Sequence, residues 1–202
     1  AKTGWGVGAI ITAIAAVVVV LLLCIVLALV AILVPALGHA RRAAKNTVDI
    51  TNMRNIGMGM HAYAINYRNI LPPHVTLVVQ QGLIGHGHSG SPFVSAHNPY
   101  QVQNLAVPTP NAGAAPQPPY QYGDVVFALA QVDLYKLNST SEIIMAYMNY
   151  QHGDTRPVLF AHGAVVPQSQ ADFDAAVALH NSHMRAANLP VLDPTQFTAT
   201  VP

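Results

Sequence analysis

The sequence predicts an α+β protein: a long, kinked N-terminal helix, then a small head with an antiparallel β-sheet and a C-terminal helix. Three observations predict it. Residues 3–40 contain no Asp, Glu, Lys or Arg, and residues 10–34 are almost pure Ile, Val, Leu and Ala. An amphipathic stripe of helical period follows over residues 50–71. Beyond residue 120, short β-branched and aromatic runs alternate with turn residues and close on one more amphipathic helix.

The chain has 202 residues, enough for one modest core plus appendages. Charged residues make up only 8 % of it, against about 25 % in an ordinary soluble domain. The formal net charge is +1, so self-repulsion does little to keep copies apart. Such a head suits a subunit packed against copies of itself. The single cysteine, Cys24, excludes an intrachain disulfide and any cysteine-based metal site. Arg41, Arg42, Lys45 and Arg54 form a basic cluster at the end of the apolar segment. That position suits a membrane surface or a neighbouring subunit, and no nucleic-acid partner is expected.

A helix over residues 7–34 would be roughly 42 Å long, more than the roughly 30 Å hydrocarbon core of a bilayer. A cleaved signal peptide is not expected, because its apolar stretch would be only about 7–15 residues long. A buried core helix is not expected either, since a head of this size lacks the surface to cover it. Two destinations remain, a lipid-spanning anchor and the central bundle of a filament. Val18, Leu22, Ile25, Leu29, Ile32, Pro35 and Leu37 are the candidate assembly residues. Pro35 should interrupt and kink the helix, having no N–H to donate.

Ile50, Met53, Gly57, Met60, Ala64, Tyr67 and Leu71 recur at steps of three and four. The first six are the residues expected to pack stalk against head. Asp49 falls on the polar side of that pattern, and Leu71-Pro72-Pro73 should end the helix. Residues 1–73 thus read as helix and stalk, and residues 74–202 as the head.

Within the head, residues 75–82 read as a short helix closed by glycine. Residues 85–119 are rich in Gly, Pro, His, Asn and Ser and read as loop, with an extended proline-rich piece at 106–119. Strand-like runs follow at 125–129, 143–148, 158–160 and 164–166. The last two form a hairpin around Ala161-His162-Gly163. Ser169 should cap a helix over residues 170–187, with Phe173, Val177, His180 and Met184 on one face. The Pro- and Thr-rich tail from Leu189 should lie along the surface.

Two separated blocks then resemble a known family. The first is Ile32-Leu33-Val34-Pro35-Ala36-Leu37-Gly38-His39-Ala40-Arg41, continued by Asn52-Met53-Arg54-Asn55-Ile56-Gly57-Met58-Gly59-Met60-His61-Ala62-Tyr63 and Leu71-Pro72-Pro73. The second runs from His152 through Val158-Leu159-Phe160-Ala161 to His162-Gly163. Together they resemble type IV pilin-like and type II secretion pseudopilin-like proteins of the planctomycete type, which end in an H-x9-DG element. The resemblance implies a kinked apolar helix, assembly with copies of itself, and a family motif at His152, His162 and Gly163. Two departures stand out: His162 occupies the position of the motif's Asp, and the apolar helix lacks the Phe-Thr-Leu-Ile-Glu-like opening and any Glu.

Ten histidines against eight carboxylates raise the question of a metal. The closest pairs, His86 with His88 and His180 with His183, fall short of the three or four converging ligands that zinc requires. No nucleophile–base pair stands out, so neither catalysis nor a cofactor nor a small-molecule substrate is expected. Asn138-Ser139-Thr140 matches the N-glycosylation pattern. The expectation is a homo-oligomeric subunit of an extracellular, pilus-like filament at the cell surface, inserted in the inner membrane before assembly. The alternatives are a membrane-anchored pseudopilin-like component of a secretion system, and a surface adhesion module.

Overall fold

The computed structural model describes residues 6–84, 91–96, 119–149 and 155–196. The fold is α+β as expected: a long N-terminal helix, a five-stranded antiparallel sheet and a C-terminal helix. Helix α1 spans Val7–Asn66, and its 60 residues run through Pro35 without a break. The proline therefore does not end a helical segment, because neighbouring turns retain their own hydrogen bonds. The chain divides into two compact units, Ala1–Ala44 and Lys45–Pro202.

In the second unit, α1 ends at Asn66, five residues before the Leu71 expected from the proline pair. The cause is a reversal at Arg68 (φ 56°) and Asn69 (φ 64°), both left-handed. Asn69 N–H donates to Ala64 O at 2.7 Å, closing the helix end. Leu71 N–H then donates to Val132 O (3.0 Å). Helix α2, Val75–Gln80, follows, with the His74 ring accepting from Thr76 N–H at its start.

The strands are β1 (Tyr120–Tyr122), β2 (Val125–Phe127), β3 (Ile144–Met148), β4 (Thr155–Phe160) and β5 (Val165–Ser169). They lie in sequence order as a meander, each antiparallel to the next. The expected hairpin is β4–β5. Its turn is closed by Gly163 N–H donating to Phe160 O (2.8 Å), with Gly163 at φ 94°, where a side chain would be strained. Strand β1 was not expected.

Alternation along the strands sends side chains to two covered faces. Val125, Phe127, Met145, Met148 and Leu159 join Met53, Ile56 and Met60 of α1 in one cluster. Val126, Ile144, Tyr147, Val158 and Phe160 form the other with Phe173 and Val177 of helix α3, Gln170–Ala186. The head is thus a sheet with a helix on each face. Ser169 caps α3 by accepting from Asp172 N–H (3.2 Å), and Phe173, Val177, His180 and Met184 are all buried, as their spacing predicts.

Two glycines explain how closely α1 approaches its neighbours. A methyl group on Gly57 would sit 2.8 Å from Leu159 Cδ1, and one on Gly59 would overlap Ile84 Cγ1. The Gly-rich run at 56–59 is a packing device.

Candidate functional site

Two features stand out, one in each unit. The first is the apolar part of α1. From Ile14 onward the helix is long and apolar enough to cross a membrane, and its apolar window has no buried residue. Val18, Leu22, Ile25, Leu29, Ile32 and Leu37 are between 47 % and 68 % exposed, as on a bare helix. Pro35 and Cys24 are exposed as well. This surface offers only dispersion and desolvation to a partner.

The second is the junction where the two family-like blocks meet. Gly57 on α1 lies against Leu159 of β4. One helical turn on, His61 comes beside the β4–β5 turn, its Nε2 lying 3.6 Å from where a Gly163 methyl would sit. Burial lowers the His61 pKa most, and the neighbouring His162 lowers it further, while a hydrogen bond to the Ala161 backbone raises it. His162 itself is exposed, with Nδ1 3.3 Å from Thr140 O. Helix and hairpin are thus matched by a small residue on α1 and a small residue in the turn. His152, His86 and His88 lie outside the described residues.

The expected stalk–head residues behave alike with one exception. Met53, Gly57, Met60 and Ala64 are buried, and Ile50 packs against the same cluster. Tyr67 is 46 % exposed, a correction to the expected stripe. The helix ends at Asn66, so Tyr67 leaves the sheet and stacks on Tyr63 instead (ring centroids 4.2 Å apart). Ile56 and Tyr63 take the buried places that the stripe omitted.

The His180–His183 pair does not converge on one point. His180 is fully buried, its Nδ1 accepting from Ile144 N–H (3.2 Å), whereas His183 Nε2 meets Glu142 Oε2 at 2.9 Å. Burial, then the nearby His183, pushes the His180 pKa down to about 4. Among the described residues no three His, Cys, Asp or Glu side chains are placed to hold a metal ion together. Asn138 is exposed, which leaves its side chain open to modification.

Sequence reasoning missed a buried polar clamp. Asp49, placed on the polar side of the stripe, is 3 % exposed. Its Oδ2 accepts from Ser95 Oγ–H (2.7 Å) and its Oδ1 from Ala96 N–H (2.7 Å). Asp124 Oδ2 accepts from Ser95 N–H (2.9 Å). Two carboxylates from distant parts of the chain thereby fix residues 95–96. No pattern in the sequence marks Asp49 as buried, since its partners are loop residues 46 and 47 positions away.

The chain was compared with protein-family models, with curated proteins and with solved structures, and it matches none of them.

Proposed function

We propose that this chain is a structural subunit of an extracellular, pilus-like filament, with the apolar helices of many copies forming its core and the heads its outer surface. The observation that carries this reading is the apolar half of α1, a helix whose Ile, Val and Leu side chains find no cover among the described residues of their own chain. With lipid as the competitor for these side chains, cohesion between copies comes from van der Waals packing of helix on helix rather than from removal of apolar surface from water. Further support comes from the head. The two blocks that resemble pilin-like proteins are far apart in sequence and lie against each other through Gly57–Leu159 and His61–Gly163. The exposed side of the second half of α1 also carries Met58 and Ile65, 63 % and 75 % exposed and two turns apart, a surface open to neighbours.

A second reading is a pseudopilin-like component that stays in the membrane. The absence of any acidic residue from the apolar helix favours it, because a charge-free helix has no group to tie to a neighbour's terminus. Negative-stain microscopy of sheared cell-surface material, with mass spectrometry of the fibres, separates the two. Fibres containing this chain support the filament. Recovery solely from detergent-solubilised membrane, with none in fibres, overturns it in favour of the membrane-bound component.

A further inference from the structure

Helix α3 and strand β5 leave a groove of about 440 Å³ in the head, lined by the apolar Phe160, Val166 and Leu179 and by two carboxylates, Asp172 and Glu142. Val166 and Leu179 are exposed. Asp172 stands in the first turn of α3, and Glu142 is held by His183 in the last. Those turns lie about 16 Å apart at the helical rise of about 1.5 Å per residue. Each carboxylate uses one oxygen inside the head. Asp172 Oδ2 accepts from Ser169 Oγ–H (2.6 Å), and Glu142 Oε2 meets His183 Nε2 (2.9 Å). Among the described residues, the second oxygen of each has no hydrogen-bond partner. Strand β5 is an edge of the sheet, yet Pro167, opposite Pro157, has no N–H to offer. A further strand is therefore a poor fit beside it, and a helix the better one.

One helical segment of this chain has the matching chemistry. Arg41, Arg42 and Lys45 are the sequence's single group of three cations within five residues, and residues 3–48 hold no Asp or Glu. Arg41 and Lys45 are like charges one helical turn apart, an unfavourable pairing until an outside carboxylate answers it. With Leu37, Ala40 and Ala44 they follow the spacing i, i+3, i+4, i+7 and i+8, so the five share one side of α1. The two alanines let that side approach a neighbour closely. Residues 36–45 span about 14 Å, close to the separation of the groove's carboxylates. Every residue from 36 to 45 is exposed in its own chain. An anionic lipid headgroup would answer the cations alone, leaving the two carboxylates without a counter-charge and the apolar lining bare.

We propose that the groove between α3 and β5 docks the cationic segment 36–45 of a second copy of this chain, Arg41 and Lys45 meeting Glu142 and Asp172 while Leu37 and Ala44 cover Val166 and Leu179. Groove and segment are different surfaces, so the contact is head-to-tail and extends into a ring or a filament instead of closing as a two-fold dimer. It rests on the reading that copies of this chain assemble. Its test is made in micelles, so fibres found in sheared surface material without this contact would sink the contact alone.

The test mixes two forms of the full chain in detergent micelles that also contain phosphatidylglycerol. One is heavy-isotope-labelled and carries p-benzoylphenylalanine at position 44; the other is light and otherwise native. After irradiation, cross-links from position 44 of heavy chains to residues 160–179 of light chains are expected. Glu142→Lys with Asp172→Lys in the light chain should lower their yield at least about fivefold. Arg41→Glu with Lys45→Glu in the heavy chain should then restore it, because the charges are complementary again. The milder pair Glu142→Gln with Asp172→Asn should lower the yield in the same direction, and near-ultraviolet circular dichroism checks that each variant's head is folded. Cross-links within one isotope alone, or to lipid with none to the groove, overturn the proposal. So does a yield that both pairs leave unchanged, or one that the compensating pair does not restore.

Discussion

His180 gives the most quantitative handle on the head. Its imidazole is sealed between α3 and β3, with Nδ1 accepting from Ile144 N–H and Nε2 buried without a partner. A protonated ring would lose the Nδ1 acceptor and carry an unpaired charge in the core. The fold therefore holds the pKa at about 4, against 6.5 ordinarily. The sign follows from linkage. Above pH 6.5 the ring is neutral in folded and unfolded chains alike, and this stabilisation is fully present. As pH falls below 6.5 the unfolded chain takes up a proton that the folded chain refuses, so stability drops until about pH 4 and then levels off. The full difference corresponds to about 3 kcal/mol. The assay is denaturant unfolding of the full chain in micelles between pH 7.5 and 4, followed by near-ultraviolet circular dichroism of the head tyrosines. His180→Gln has no proton to take up, so comparing it with the native chain removes contributions from Glu142 and the other carboxylates. The native chain should lose about 3 kcal/mol more than the variant over this range. Parallel pH profiles for the two proteins would refute the argument.

Other perturbations act on the packing. Gly57→Val drives new methyl groups into Leu159 and should cost about 1–3 kcal/mol, with Leu159→Ala recovering part of that loss in a double-mutant cycle of unfolding free energies. Phe173 is fully buried, 4.8 Å from the Tyr147 ring and under the Arg156 guanidinium at 4.4 Å. Phe173→Ala should lower head stability by about 3–5 kcal/mol, seen as faster amide exchange in β3 and β4 while residues 14–37 keep their protection. Asp49→Ala strips both acceptors from Ser95 Oγ and Ala96 N and should cost about 2–3 kcal/mol. Limited proteolysis should then cut within residues 85–119 faster, and before any other site.

Where the signal was local, the sequence was a sufficient guide. Ser169, the four-residue face of α3 and the Gly163 turn each express a short-range rule: a cap, a helical period, a left-handed glycine. Where partners are distant, local rules were silent. Asp49 looked solvent-facing because only the folded loop brings Ser95 and Ala96 onto it. Strand β1 holds three residues directly after a proline-rich stretch and has no period of its own. The end of α1 was misplaced because Arg68 and Asn69 turn left-handed without the glycine that usually marks such a turn, and Tyr67 was assigned to the wrong surface in consequence. His61 carried a signal in the first family-like block, but its contact with Gly163 depends on the hairpin folding against α1.

The central claim is that the apolar helix packs against copies of itself, and Cys24 allows that to be measured in place. It is the chain's single cysteine and lies exposed in the middle of the apolar segment. Val18, Ile25, Leu29 and Ile32 would each be changed to cysteine beside it, and intact cells treated with a membrane-permeable oxidant. Helices bundled in a filament core should give a ladder of disulfide-linked species beyond the dimer for at least one of the four variants, surviving in sheared surface material. Monomers, or dimers alone, at all four positions would contradict the claim.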